Sequence, residues 1–221
     1  MNIKNNIHKI SQNLPPGCEL VAVSKTKSVS LIQEAYDAGQ RHFGENKVQE
    51  LVPKYEALPK DICWHMIGHL QSNKVKYIVP FVHLIHSIDS ERLLAEVDKQ
   101  AAKVKRTVSC LLQVHIAQEE TKFGFSIDEL KAFLRSNQCA DYKHIRIAGL
   151  MGMATLTDDS AQVSNEFKTL HDAFVELKSE SLSPNAAMEI LSMGMSGDYS
   201  LAVAKGSTMI RVGSAIFGDR T

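Results

Sequence analysis

Short apolar runs alternate with amphipathic segments along the chain. The first run, residues 18–24, is mostly apolar and contains the β-branched residues Val21 and Val23. The segment after it, residues 29–38, carries apolar side chains at helical spacing up to Gly39. This alternation occurs eight times and predicts eight strands, each followed by a helix or a turn. The predicted strands are residues 18–24, 41–43, 62–67, 82–88, 107–116, 144–150, 188–191 and 208–212.

The helices between these runs have recognisable start signals. Ser90 caps one of them, and Ser126 with Glu129 forms the capping box of the next. Another helix carries an apolar stripe formed by Val163, Phe167, Leu170, Phe174 and Leu177. Further helices are predicted at residues 29–38, 45–58, 72–79 and 200–204.

Eight strands alternating with helices predict an α/β protein, a single (β/α)8 barrel of the TIM type. A doubly wound open sheet is the alternative, because periodicity alone cannot show that a sheet closes. The eight units use the length of the chain, and no Gly-rich or Pro-rich linker interrupts them. The sequence therefore predicts one domain, residues 1–221.

Composition narrows the function classes. Apolar residues make up 44% of the 221 positions, and 25 basic residues balance 25 acidic ones, so no basic face for nucleic acid is predicted. No run approaches the ~18 apolar residues of a membrane span, and no signal peptide is expected. These features predict a cytoplasmic protein. The four cysteines are far apart and the histidines form no compact motif, so neither a disulfide framework nor a metal site is predicted.

Small and polar residues gather where the predicted strands end, which in a barrel is where the chemistry lies. Lys25 follows the first strand. If the strand's alternation continues through it, its side chain lies on the same face as those of Val21 and Val23. If that face points inward, the amine is partly desolvated and suited to form a Schiff base with an aldehyde. A lysine that only extends from a strand end into solvent is the alternative reading.

Two later stretches resemble a phosphate site. Residues 192–197 combine two serines with two glycines just before a predicted helix, and Gly213 with Ser214 follows the last strand. Glycines let backbone N–H groups approach a phosphate closely, and barrels often bind phosphate in their last two loops. Two ordinary glycine turns remain the alternative. Arg211 lies within the last strand and needs a polar partner, either a core carboxylate or a ligand.

Taken together, these stretches resemble one family, the YggS/PROSC pyridoxal phosphate homeostasis proteins. The resemblance covers nearly the whole chain. Its motifs are residues 20–27 (LVAVSKTK), 42–46 (HFGEN), 64–74 (WHMIGHLQSNK), 149–153 (GLMGM), 191–198 (LSMGMSGD) and 210–218 (IRVGSAIFG).

The resemblance implies a fold similar to the barrel domain of bacterial alanine racemase, with pyridoxal 5′-phosphate (PLP) as cofactor. It implies that Lys25 holds PLP as a Schiff base, that Asn46 lies near the cofactor, and that Arg211 faces the pyridine nitrogen. It assigns no catalytic residue. The residues that it implies for the phosphate are Ser192, Ser196, Gly213 and Ser214.

The resemblance favours a PLP carrier or regulator without a defined reaction. An amino-acid racemase and a Schiff-base aldolase are the alternatives. The related racemases add a second domain that supplies a tyrosine acid/base, whereas here Tyr199 alone lies near a predicted phosphate loop. Apo-enzymes that use PLP are candidate partners, and the family resemblance favours a monomer.

Overall fold

Eight parallel strands close into a barrel in chain order, with β8 paired to β1. The structure, a computed structural model, describes residues 2–118 and 123–218. The closed order confirms the predicted barrel and excludes the open sheet. The strands are β1 Glu19–Val23, β2 His42–Glu45, β3 Cys63–Met66, β4 Leu84–Ile88, β5 Val108–Val114, β6 Ile145–Gly152, β7 Ala186–Ser192 and β8 Met209–Val212.

The helices follow the prediction with three differences. The predicted helix 45–58 begins later, because Glu45 is the last residue of β2, and the predicted helix 72–79 is a 3₁₀ turn followed by one short α-helix. Two helices, one at each end of the chain, were not predicted. The helices are α1 Ile3–Gln12, α2 Val29–Asp37, α3 Val48–Ala57, α4 Val75–Ile78, α5 Glu91–Lys103, α6 Ile127–Arg135, α7 Ser160–Lys178, α8 Tyr199–Ala204 and α9 Ser214–Phe217.

The predicted capping box at the start of α6 is present. Ser126 Oγ accepts from the backbone N–H of Glu129 at 3.2 Å, and Glu129 Oε2 accepts from the backbone N–H of Ser126 at 2.8 Å. Two backbone donors that the helix leaves without intrahelical partners are thereby satisfied. This signal was readable from the sequence because both partners lie within one turn.

The core has two layers, as expected when helices surround a closed sheet. The larger cluster lies between the strands and the helices. A smaller cluster, separate from it, occupies part of the barrel interior and comes entirely from strands: Val21, Leu84, Leu111, Ala148, Met151 and Met209. Polar side chains are buried as well, among them His65, His86, Ser192 and Arg211, and they lead to the candidate site.

Because all strands are parallel, their carboxyl ends meet at one end of the barrel, here called the C-terminal mouth. Their amino ends meet at the other, the N-terminal mouth. None of the helices in residues 2–118 and 123–218 is long and apolar enough to cross a lipid bilayer.

Candidate functional site

A cavity of about 800 Å³ opens at the C-terminal mouth. This volume suits a small molecule or cofactor. Residues from the turns after β1, β2, β3, β5, β6, β7 and β8 line it, together with one residue each of β1, β5 and β8. Six of the seven residues singled out in the sequence lie in its wall: Lys25, Asn46, Ser196, Arg211, Gly213 and Ser214.

Ser192, the seventh, does not line the cavity. It is the last residue of β7, it is fully buried, and its hydroxyl points into the barrel beneath the cavity. Ser192 Oγ accepts from Nη1 of Arg211 at 2.5 Å and lies 3.1 Å from Nδ1 of His86. Because Ser192 still belongs to the strand, its side chain supports Arg211 from below and does not join the loop that follows.

A tight turn holds Lys25 at the end of β1. The strand ends at Val23, so Lys25 is placed by this turn and not by the alternation of strand side chains. Thr26 has a positive φ of 64°, and its backbone N–H donates to Oε2 of Glu50 at 2.7 Å. Lys27 also lines the cavity, and its Nζ donates to the carbonyl of Gly218 at 3.1 Å.

A buried ion pair lies directly behind this turn. Lys54 Nζ donates to Oε1 of Glu45 at 2.7 Å and to the carbonyl of Ser24 at 2.9 Å. The Ser24 hydroxyl donates to the same carboxylate oxygen at 2.6 Å. Burial raises the pKa of Glu45 more than Lys54 and Ser24 lower it. The pair therefore fixes the residue next to Lys25 while the carboxylate carries a cost of desolvation.

Arg211 is a buried cation whose direct partners are neutral. Besides the Ser192 hydroxyl, it donates from Nη2 to the carbonyl of Gly152 at 3.1 Å. Within the part of the chain that the structure describes, it makes no ion pair, so the core-carboxylate alternative is not realised there. Burial lowers its pKa to about 10, and the more distant Asp198 opposes this shift. The guanidinium therefore stays charged at neutral pH and lies at the cavity wall.

Three histidines connect Ser192 to the opposite end of the barrel. Nδ1 of His42 lies 2.9 Å from Nε2 of His65, and Nδ1 of His65 lies 2.8 Å from Nε2 of His86. We call His42, His65 and His86 the histidine column. Burial lowers the pKa of His65 and of His86 well below the usual value, so both rings are neutral. The histidines form no compact motif in the sequence, and the closed barrel brings these three together.

Backbone and hydroxyl groups from the turns after β2, β3, β7 and β8 also contribute to the cavity wall. The backbone N–H of Gly213 donates to Ser196 Oγ at 3.2 Å. A side chain at Gly68 would place its Cβ 2.5 Å from the carbonyl oxygen of Asn46, so this close backbone approach requires glycine. A small, oxygen-rich anion fits such a wall, because short side chains and backbone groups can approach it closely.

One part of the wall was not found from the sequence. Leu156 is 93% exposed and Phe123 is 58% exposed, and both line the cavity. With Met153 they give its outer wall an apolar character. Phe123 and Leu156 lie in loops without a periodic pattern, so only the folded chain shows that they share one surface with Met153, the last residue of the motif at 149–153.

The fold and this site define a class of protein, the barrels that resemble the N-terminal domain of alanine racemase. The family model of the alanine racemase N-terminal domain matches residues 1–221. An alanine racemase from Bartonella henselae has a TM-score of 0.74 at 17% identity, which shows the shared fold alone; the alignment covers 99% of this chain and 59% of the racemase.

More similar proteins narrow the class to one family. A pyridoxal phosphate homeostasis protein of Synechocystis sp. is 42% identical over 217 residues, 96% of each chain. The one of Haemophilus influenzae is 36% identical over 233 residues, covering 100% of this chain and 97% of the other. This chain belongs to the pyridoxal phosphate homeostasis protein family.

Solved structures agree with this assignment. PipY of Synechococcus elongatus without PLP has a TM-score of 0.91 and 39% identity, over 98% of this chain and 100% of PipY. PipY with PLP bound has a TM-score of 0.87 and 38% identity over the same shares.

Proposed function

We propose that this chain is a single PLP-binding barrel domain, residues 1–221, that holds PLP in the C-terminal cavity and serves PLP homeostasis in the cytoplasm. The observation that carries the proposal is the shared wall of one cavity. It brings the Lys25 amine and the Arg211 guanidinium together with the hydroxyls of Ser196 and Ser214. An amine, a cation and an anion-accepting wall match the aldehyde, the pyridine nitrogen and the phosphate of PLP.

We propose for the wall residues the roles that the family resemblance implies. Lys25 supplies the amine that binds the aldehyde covalently, while Ser196, Gly213 and Ser214 hold the phosphate. Arg211 faces the pyridine nitrogen, and Asn46 lies beside the ring. When bound, the cofactor supplies an electron-withdrawing ring. Arg211 keeps its own proton at neutral pH and so leaves the ring nitrogen unprotonated, which weakens that property.

Ser192 takes a different role from the one that the resemblance implied. Its hydroxyl accepts from Arg211 and contacts His86, both inside the barrel. We assign it the task of orienting the guanidinium. Gly152 contributes a second fixed acceptor, so two neutral groups aim Arg211 without neutralising its charge.

The carrier function is favoured over racemisation. Relatives at 34–42% identity bear the name of homeostasis proteins, whereas the racemase similarity at 17% identity extends to the fold alone. Apo-enzymes that use PLP are the partners that such a carrier would serve, and we propose that it acts as a monomer.

The covalent link is tested by borohydride reduction of PLP-loaded protein followed by peptide mapping. We expect one adduct, on Lys25, and no adduct in Lys25→Ala. Lys27→Ala is the matched control, because Lys27 lines the same cavity, and it should keep the adduct on Lys25. An adduct on Lys27 in the unmodified chain, or no bound PLP, would contradict the binding proposal.

Turnover separates carrier from enzyme. PLP-loaded protein incubated with L-alanine should give no racemisation above that of free PLP. Racemisation at ordinary enzymatic rates that disappears in Lys25→Ala would overturn the carrier proposal while leaving the binding proposal intact.

A further inference from the structure

A second group of chemically capable side chains lies at the N-terminal mouth, at the opposite end of the barrel from the cavity. It consists of His42 at the start of β2, Cys63 at the start of β3 and His83 just before β4. Each offers one ligand atom, and these atoms lie within 4.8 Å of one another. The sequence predicted no metal site because these residues are about 20 positions apart. Barrel closure places them side by side.

We propose that His42, Cys63 and His83 bind a zinc ion, with Glu19 of β1 as the fourth ligand. Two imidazoles, a thiolate and a carboxylate are all ligands that Zn²⁺ accepts in tetrahedral sites. The charge also balances, because the thiolate and the carboxylate together neutralise the dication. Such neutrality favours the site at a partly buried position, where an uncompensated charge is costly.

Strand register gives the site its geometry. His42 and Cys63 are direct partners in the parallel pair of β2 and β3, so their side chains project in the same direction. The backbone N–H of His83 donates to the carbonyl of Trp64 at 2.9 Å, which places the third residue one position beyond the level of Cys63. The centroids of the His83 and His42 rings lie 5.6 Å apart. Oε2 of Glu19 lies 3.9 Å from Nε2 of His42.

The spacing is close to that of a filled site. Zinc bonds of about 2.0–2.3 Å place tetrahedral donor atoms roughly 3.3–3.8 Å apart. The three donors within 4.8 Å of one another therefore need to approach by about an ångström, which side-chain rotation can supply. His83 is exposed and the side chain of Glu19 is 48% exposed, so an ion reaches the site from solvent.

The histidine column supplies the outer support that a zinc ligand needs. A metal-bound histidine usually gives its second ring nitrogen to a fixed partner. Nδ1 of His42 already hydrogen-bonds to His65, which leaves Nε2 for the metal. His65 is fully buried and held in turn by His86, so His42 is oriented before any ion binds. None of the four proposed ligands lines the C-terminal cavity, so the zinc site is spatially separate from the PLP pocket.

Cobalt(II) titration of metal-stripped protein tests the ligand set, because tetrahedral cobalt sites absorb visibly and thiolate ligands add a charge-transfer band. We expect both signals to saturate at one ion per chain. Cys63→Ser should lose the charge-transfer band. Cys18→Ser is the matched control, since Cys18 is also half-buried and lies next to Glu19 in the chain, and it should keep the band.

Zinc affinity, measured by competition with a chromophoric chelator, gives the second test. His83→Ala removes an exposed ligand and should fold like the unmodified protein, yet its zinc affinity should fall at least tenfold. His65→Gln removes only the outer support and should lower the affinity 10–100-fold. Zinc should also raise the thermal midpoint of the unmodified protein more than that of His83→Ala.

The outcomes decide the proposal. Absence of cobalt bands at stoichiometric metal would overturn it, and so would equal zinc affinities for His83→Ala and the unmodified chain. Because His83 is exposed and remote from the cavity, unchanged PLP binding by His83→Ala shows that the variant is folded. The two sites can therefore fail or succeed separately.

Discussion

At the scale of single residues, the turn that carries Lys25 is supported by two charged side chains, Glu45 and Lys54, that do not line the cavity. Glu45 and Lys54 are buried as a pair, with side-chain exposures of 0% and 9%. Two further hydrogen bonds tie this pair to Ser24, one from its hydroxyl and one to its carbonyl. A buried pair adds little over an apolar pair of the same shape, but losing one member leaves an uncompensated charge.

Lys54→Met should therefore be strongly destabilising. The change leaves the Glu45 carboxylate buried without its cation, and we expect the free energy of unfolding to fall by about 3–5 kcal/mol. Urea unfolding followed by circular dichroism measures this. The double variant Glu45→Gln with Lys54→Met removes both charges and should recover part of the loss.

Lys168→Met is the matched control. Lys168 also pairs with a carboxylate, Asp172 at 2.5 Å, but their side chains are 60% and 56% exposed. We expect a loss of less than about 1 kcal/mol, because water screens this pair. A loss at Lys54 no larger than that at Lys168 would show that the buried pair does not support the turn.

The residues of the site differed in how readable they were from the sequence. Lys25 and Ser196 could be predicted, because polar residues directly after an apolar run are recognisable. The resemblance placed Ser192 at the phosphate, whereas in the structure it is the last residue of β7 and its side chain stays inside the barrel. The sequence does not fix where a strand ends to within one residue, and here one residue decides between strand and loop. Lys54 was not found, because a helical lysine is normally exposed. The contact of His42 with His65 joins positions 23 apart and exists only in the closed barrel.

At the scale of elements, α1 extends the core beyond the eight strand-helix units. It buries Ile3, Ile7 and Ile10, and Asn6 Nδ2 donates to the carbonyl of Ile216 in α9 at 3.0 Å. The side chain of Asn2 caps its first turn. This helix therefore packs against α9, whose first residue, Ser214, lines the cavity.

Ile3→Ala should cost about 2–4 kcal/mol of unfolding free energy. The Ile3 side chain is 1% exposed, so its loss removes buried apolar contacts and leaves a cavity. Thermal and urea unfolding measure the effect. Lys4→Ala changes the exposed neighbour in the same helix and should stay within about 0.5 kcal/mol. Equal effects of the two changes would mean that α1 does not pack as described.

Helix prediction failed for a physical reason at both ends of the chain. α1 has only three isoleucines among polar residues, so its apolar stripe is thin compared with that of α7. α9 is four residues long, too short for any periodic signal. All eight strands were found, most of them because each is an apolar run bounded by polar or small residues. β2, His42–Glu45, has one apolar side chain and was predicted as a short strand before a helix. Their closure into a barrel was inferred from their number and was confirmed by the pairing of β1 with β8.

At the scale of the whole molecule, part of the barrel interior is filled by neutral histidines instead of aliphatic side chains. His65 and His86 are fully buried, and burial holds their pKa values well below 6.5 in the folded state. In the unfolded chain both rings bind protons as the pH falls below about 6.5. The folded state does not bind these protons. The contribution of the two histidines to the free energy of unfolding is therefore fully present above about pH 6.5 and decreases as the pH falls.

Stability should therefore decrease from pH 7.5 to pH 5.5. Each histidine contributes a slope of up to about 1.4 kcal/mol per pH unit below its unfolded pKa, and the two together about 2.7. Urea unfolding in the presence of EDTA measures this slope without bound metal. His65→Gln removes one of the two titrating groups and should reduce the slope by up to about 1.4 kcal/mol per pH unit. A pH-independent free energy across this range would show that the rings are protonated in the folded state.

The hydrogen bonds of the histidine column also restrict which ring nitrogen of each histidine carries the proton. A neutral imidazole carries one N–H, and both nitrogens of His65 and Nε2 of His86 are engaged within the column. Choosing the tautomer of one ring therefore fixes the others. Either every N–H points toward Ser192, whose oxygen then accepts from both His86 and Arg211, or every N–H points toward His42 and Ser192 becomes a donor. The barrel thus contains a polar axis with two opposite dipole directions, and reversing it requires all its protons to move together.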